Sequence, residues 1–213
     1  MLVGVPSVFL RLSGCNLRCT WCDTPYASWE PEGDDFMLGA VLGDVRSRWS
    51  THVVVTGGEP MISPMISLLT QRLKELGMHI TIETAGTVYH PVTCDLMSIS
   101  PKLANSTPHE REEGKWAAQH DRLRYQPEVL KKLMSEHEYQ LKFVVASEQD
   151  LPEIQKIIEE TGADRSRVML MAEGTSTETI YERARWIVEV CKRERYRYSP
   201  RLHIDLWGDK RGV

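Results

Sequence analysis

Gly14-Cys15-Asn16-Leu17-Arg18-Cys19-Thr20-Trp21-Cys22-Asp23 puts three cysteines within eight residues, at C-x3-C-x2-C spacing. One loop carrying thiolates at that spacing can wrap a cuboidal iron-sulfur cluster. Such clusters usually take four thiolates, so three leave one iron open to a substrate or cofactor, which is the logic of catalysis rather than of electron carriage. Zinc is the rival reading, because soft thiolates bind it well. A structural zinc site is closed by four ligands, commonly in two pairs, and no second pair is present. Cys94 and seven scattered histidines are the candidates for a fourth ligand.

Outward from the loop, short β-rich apolar runs alternate with segments of helical spacing. The runs are Pro6 to Leu12, His52 to Thr56, Met78 to Glu83, Leu96 to Ser100, Tyr139 to Val145, Val168 to Met171 and Leu202 to Leu206. Helical patterns fill Asp35 to Trp49, Met61 to Leu76, Glu128 to Glu136, Leu151 to Glu160 and Thr177 to Arg195. The last places Ile180, Ala184, Ile187, Val188 and Cys191 on one face, and Gly162 is a stop for the segment before it. The alternation predicts an α/β fold with a mainly parallel sheet, open or curled into a partial or full barrel, and ligands at the carboxyl ends of the strands.

Those ends carry the distinctive residues. The cysteines follow the first run, Thr56-Gly57-Gly58-Glu59 ends the second, Glu83-Thr84-Ala85-Gly86 the third and Ser100-Pro101-Lys102 the fourth. Glycines there let backbone approach a ligand closely, and a carboxylate can compensate buried positive charge. Gly-Gly-Glu-Pro also reads as a strand-to-helix turn with Pro60 at the first helical position. From Asn105 to Gln126 the composition turns polar, which predicts a solvated loop with one short helix.

At 213 residues, one domain spanning 1–213 is expected. A net charge of −4 gives no sign of a basic nucleic-acid surface, so a small molecule is the expected ligand. No apolar run approaches the roughly 20 residues that span a bilayer, and the first dozen residues do not read as a leader, so a cytoplasmic protein is expected. Five cysteines is an odd number and does not read as a disulfide framework. Cys94 and Cys191 read as small buried hydrophobes.

The C-x3-C-x2-C spacing, with Trp21 as the aromatic residue before the third cysteine, resembles the signature of radical S-adenosylmethionine (SAM) enzymes. The resemblance implies a partial or elaborated (β/α) barrel and a 4Fe-4S cluster on Cys15, Cys19 and Cys22. It also implies that the amino and carboxylate groups of SAM chelate the open iron, and that reductive cleavage gives a 5'-deoxyadenosyl radical. Thr56-Gly57-Gly58-Glu59-Pro60 resembles the element that lines the SAM amino group.

A closer resemblance covers nearly the whole chain. Gly4 to Cys19, Trp21-Cys22-Asp23-Thr24-Pro25-Tyr26, Val55 to Pro60, Ser100-Pro101-Lys102 and Arg201-Leu202-His203 resemble the 7-carboxy-7-deazaguanine synthase family of queuosine biosynthesis. That implies a carbon-nitrogen lyase contracting 6-carboxy-5,6,7,8-tetrahydropterin with release of ammonia, dependent on SAM and magnesium. It further implies a homodimer served by a flavodoxin-like electron donor. Carried over by position, Arg11 and Thr56 contact the pterin and Thr24 is the magnesium ligand. Trp21, Asp23, Gly58, Glu59, Ser100, Pro101, Lys102 and Met171-Ala172-Glu173-Gly174 surround SAM and the cluster.

By themselves these residues have other readings. Arg11 is a surface charge, Thr24 and Thr56 are turn hydroxyls, Ser100-Pro101 is punctuation, and His203 is a half-buried strand histidine. The family also has a Gln-Gly-Glu-Gly segment upstream of its Gly-x-Pro-Ser stretch, whereas Met1 stands just before Gly4 here. Three expectations stay open on that point: a longer protein, a different mode of substrate binding, or a chain that cannot turn over. The alternatives to the synthase are a glycyl-radical-enzyme activase and a non-catalytic cluster-binding homologue.

Overall fold

The computed structural model describes residues 1–212, so Val213, whose carboxylate the resemblance would bring toward the substrate, lies outside the described residues. Seven strands form one sheet in chain order, every neighbouring pair parallel. They are β1 (Val8–Leu12), β2 (His52–Gly57), β3 (His79–Thr84), β4 (Leu96–Ile99), β5 (Tyr139–Val145), β6 (Val168–Ala172) and β7 (Arg197–Tyr198). The helices are α1 (Pro25–Ser28), α2 (Leu38–Ser47), α3 (Ile66–Glu75), α4 (Ala117–Arg124), α5 (Pro127–Glu136), α6 (Leu151–Thr161), α7 (Thr177–Glu194) and α8 (Leu202–Trp207). The sheet is open, with β1 and β7 as its edges, which makes the architecture a partial rather than a closed barrel.

Parallel neighbours require crossovers, and helical crossovers cover one face of the sheet. That face is apolar throughout: Val53, Val55, Ile80, Ile82, Met97, Ile99, Leu141, Phe143, Val168 and Leu170 are fully buried. Side chains alternate along a strand, so the residues between these point to the other face. There the register aligns Arg11 with Thr56, Glu83 with Ser98, and Ser98 with Gln140, and Lys142 lies two residues further along β5. A polar row thus crosses the inner face of the sheet.

The amphipathic helices end where local chemistry stops them. Ser176 caps α7, its Oγ accepting from the Thr179 amide, and Gly162 closes α6 in the left-handed conformation at φ 69°. On α7 the inward residues are Ile180, Ile187, Val190 and Cys191, each contributing roughly 2 kcal/mol by burial. Val188, expected on that face, is instead exposed.

One further expectation fails and another holds in part. Leu202 to Leu206 is helix α8, not a strand, and His203 is therefore on a helix and exposed. The seventh strand lies a few residues earlier and pairs with β6, after which Pro200 turns the chain away from the sheet edge. The polar segment after Asn105 does contain the expected short helix, α4, but it is not wholly solvated, since His120 is 1% exposed.

Candidate active site

The cysteine loop leaves the carboxyl end of β1 and is bolted to the end of β2. The Gly58 amide donates to Leu12 O at 3.1 Å and the Glu59 amide to Gly14 O at 2.9 Å, while the Gly14 amide donates to Ala27 O at 3.0 Å. A Cβ on Gly58 would lie 2.3 Å from Gly14 O, 2.4 Å from Ala27 O and 2.7 Å from the Cys15 Cβ. The glycine is therefore required by the loop itself, a firmer reason than the close approach to a ligand expected from the sequence.

Glu59 is 1% exposed, and its carboxylate turns inward. Oε1 accepts from the Met61 amide (3.0 Å) and the Thr84 hydroxyl (2.7 Å), and Oε2 from the Ala85 amide (2.7 Å). Burial raises this carboxyl above its ordinary range, although the three donors and Lys102 oppose the rise. In this position Glu59 ties the ends of β2 and β3 together.

Within the loop, Cys15 Sγ accepts from the Leu17 amide at 3.3 Å and Cys22 Sγ lies 3.1 Å from Ser28 Oγ. Burial pushes the Cys15 thiol up to about 11 and the Cys19 thiol up to about 12, while nearby Lys102 pulls both down. Metal-free, they are thiols at neutral pH, and loading must displace their protons. Among the described residues no three His, Cys, Asp or Glu side chains converge to grip a single ion. Three thiolates on one loop are a donor set that a polynuclear cluster takes at three corners, leaving one iron open.

The far wall of the loop is built from the segment after β4. Thr20 N–H donates to Ser106 O (2.8 Å), Trp21 Nε1–H to Asn105 O (3.0 Å) and Arg18 N–H to His120 Nδ1 (3.1 Å). Trp29 Nε1–H donates to Cys19 O at 2.9 Å. Sequence reasoning missed Asn105, Ser106 and His120, because hydrogen bonds made about a hundred residues away leave no periodicity to detect.

Beside the loop, Asp23 pairs with Arg201, which is 7% exposed and whose Nε has no partner. Burial acts to raise the Asp23 carboxyl, and Arg201, with Lys102 and Lys142 behind it, outweighs it and holds the group below the ordinary range. Along the inner face, Thr56 Oγ1 donates to Glu83 Oε2 (3.2 Å) and Lys142 Nζ to Glu83 Oε1 (3.3 Å). Lys142 is the main cause of the lowered Glu83 carboxyl. Arg11 is exposed beside this pair, with Nη1 3.4 Å from Gly57 O. The Lys102 ammonium donates to Ser100 O (2.9 Å) and Oγ (3.1 Å) and stands 6.0 Å from the Trp21 ring centre, and Pro101 is buried between them.

Thr24 immediately precedes α1, with its hydroxyl 3.8 Å from Cys22 Sγ. At the end of β6, Met171 is half-buried, Ala172 and Gly174 are buried, and Glu173 is held by Arg183 of α7. The residues expected around one site therefore do gather at the carboxyl edge of the sheet, but Glu59 and Glu173 have carboxylates committed to protein partners. A surface groove between α6 and α7 is lined by Gln155, Arg165 and Tyr196, none of which belongs to the cysteine site.

A curled parallel sheet with a three-cysteine loop after its first strand defines a radical SAM protein, and residues 10–102 match the Radical SAM superfamily. The fold is similar to QueE from Escherichia coli, at TM-score 0.64 and 24% identity over 93% of this chain and 86% of that one. It is also similar to Streptococcus suis SuiB bound to S-adenosylmethionine, at TM-score 0.60 and 14% identity over 91% of this chain and 49% of that one. The chain is 42% identical to the 7-carboxy-7-deazaguanine synthase of Halobacterium salinarum over 98% of its own length and 85% of that protein. It is likewise 42% identical to the synthase of Rhodopirellula baltica, over 100% of its length and 83% of that protein. The chain belongs to the 7-carboxy-7-deazaguanine synthase family.

Proposed function

We propose that this chain converts 6-carboxy-5,6,7,8-tetrahydropterin to 7-carboxy-7-deazaguanine, with loss of ammonia, as a radical SAM lyase of queuosine biosynthesis. The observation that carries the reading is the polar row of the inner face, placed beside the cysteine loop in a chain that matches synthases over its full length. When bound, the cluster and SAM supply the electron and the organic radical that start the ring contraction.

The chain's own residues hold and orient. Cys15, Cys19 and Cys22 would hold the cluster on a loop whose Gly14, Leu17, Arg18, Thr20 and Cys22 amides already have acceptors within the protein. The exposed Arg11 guanidinium forks onto the pterin carboxylate, and Thr56, fixed by Glu83, presents its hydroxyl one strand away. Lys142 keeps Glu83 ionised, so the inner face offers one anionic acceptor between two cations. Thr24 offers a hard oxygen to magnesium beside the third cysteine, and Ser100, Lys102 and Met171 to Gly174 form the SAM wall. The reading extends to a single domain, a homodimer, a flavodoxin-like donor and a cytoplasmic site of action. Among the described residues no helix is long and apolar enough to cross a membrane.

The test is anaerobic reconstitution with iron and sulfide, then incubation with reductant, SAM, magnesium and the carboxytetrahydropterin, with mass detection of the deazaguanine. Product that disappears in Cys19→Ala supports the reading. A loaded cluster that cleaves SAM but yields no deazaguanine overturns the substrate assignment.

A further inference from the structure

Two backbone amides flank Cys19, and both donate to one small module outside the loop. Thr20 N–H reaches Ser106 O, and Arg18 N–H reaches Nδ1 of His120, whose Nε2 lies 2.9 Å from Ser106 Oγ. Ser106 Oγ–H is itself directed to Leu103 O at 2.6 Å, so the hydroxyl accepts from His120 Nε2–H. That fixes the tautomer and leaves the Nδ1 lone pair facing Arg18. Ser106 is fully buried and His120 is 1% exposed, so water cannot replace either contact.

The module is anchored in turn from α6 and the turn before it. Asp150 Oδ2 accepts from Asn105 Nδ2 (2.9 Å), Glu153 Oε2 accepts from the Ala104 amide (2.8 Å), and Arg124 bridges Glu153 to Lys102 O. Nothing in this chain of contacts reaches the inner-face polar row. Its terminus is the backbone on either side of one cluster ligand.

We propose that His120 is a positioning residue for the cluster. Together with Ser106 it sets the backbone around Cys19 in ligand geometry before any iron arrives. The proposal rests on the reading of the cysteine loop as a cluster site, and its test separates the two. In wild-type metal-free protein, hydrogen exchange by NMR reports the Arg18 and Thr20 amides beside the core amides of β3 to β5. Protection of both loop amides is expected. Exchange of both at the unprotected rate, with the strands protected, overturns the proposal without recourse to any variant.

His120→Ala, His120→Asn and Ser106→Ala are then reconstituted, and iron retention against a chelator is followed with the electron paramagnetic resonance spectrum of the reduced cluster. Loss of an outer-shell support costs about 10-fold in metal retention. That loss, with a broadened spectrum, is expected for His120→Ala and, more weakly, for Ser106→Ala. In His120→Asn the side-chain carbonyl can accept from Arg18 N–H, so rescue is expected. Retention and spectrum equal to wild type in a folded His120→Ala protein overturn the positioning role. Wild-type protein that takes up no cluster overturns the site reading instead, leaving the metal-free exchange result to stand or fall independently.

Discussion

Gly58 shows how little room a single side-chain position has at this site. A Cβ there meets two carbonyl oxygens and the Cys15 Cβ inside 2.8 Å, contacts made by backbone that cannot swing away. Gly58→Ala is expected to cost about 1–3 kcal/mol in urea unfolding and to lower cluster yield, because the displaced atoms are the cysteine loop itself. Glu59→Gln keeps shape but turns an amide NH2 toward donors that need an acceptor, at a cost of about 1–3 kcal/mol in the same measurement. His120 governs acid stability. Its pKa is lowered to about 4, chiefly by burial, while Asp121 opposes and Arg124 and Lys102 assist. The unfolded chain therefore binds the extra proton first, so this histidine's contribution to stability falls as pH drops from about 6.5 to about 4, by on the order of 3 kcal/mol in all, and is constant below that, where the lowered Asp23 and Glu83 carboxyls lose theirs. In His120→Asn this portion of the pH profile is expected to vanish. At this scale the sequence showed the glycines and cysteines, whose chemistry is local. It concealed His120, which stands in a charged segment and owes its role to a partner distant in the chain.

At the scale of elements, six of the seven expected strands are where the apolar runs lie, because a parallel strand buried on its helix face is written as an uninterrupted local signal. Leu202 to Leu206 misled by alternation: Leu202, Ile204 and Leu206 have the period of a strand, yet only Ile204 is buried. What seats α8 is tertiary, the ion pair from Arg201 to Asp23 across the site. Removing Asp23 leaves a nearly buried guanidinium without its carboxylate. Asp23→Asn is therefore expected to lose about 3 kcal/mol, with a smaller further loss on adding Arg201→Met, as a double-mutant cycle would show. Helix α4 was expected only as one short helix without bounds, since His120 is its only buried residue and one position makes no periodicity.

Across the whole molecule, the two faces of the sheet divide the work. The helix face is apolar from β2 to β6 and supplies the stability, while the inner face carries Arg11, Thr56, Glu83 and Lys142, the residues proposed to meet the substrate or to orient those that do. Substitution of the exposed Arg11, whose side chain makes one long hydrogen bond to Gly57 O, is accordingly expected to abolish product formation while leaving the unfolding midpoint close to wild type. Arg11→Met assayed by activity and by thermal unfolding checks this, and a large drop in midpoint would contradict it. The architecture and the placement of the motif residues at the strand ends were legible in advance, since both follow from alternation and from motifs at run boundaries. The partition of carboxylates was not, because Glu59 and Glu83 sit in similar strand-end motifs and only their neighbours make one a brace between β2 and β3 and pair the other with Thr56 and Lys142 on the inner face.

The bond from Arg18 to His120 spans 102 residues of chain. A ribosome adding ~5–20 residues per second reaches the histidine about 5–20 s after it has passed the arginine. For that interval the nascent chain displays three cysteines without the acceptors that order them. Maturation has a clock, and premature iron would meet a loop whose mould has not yet been made.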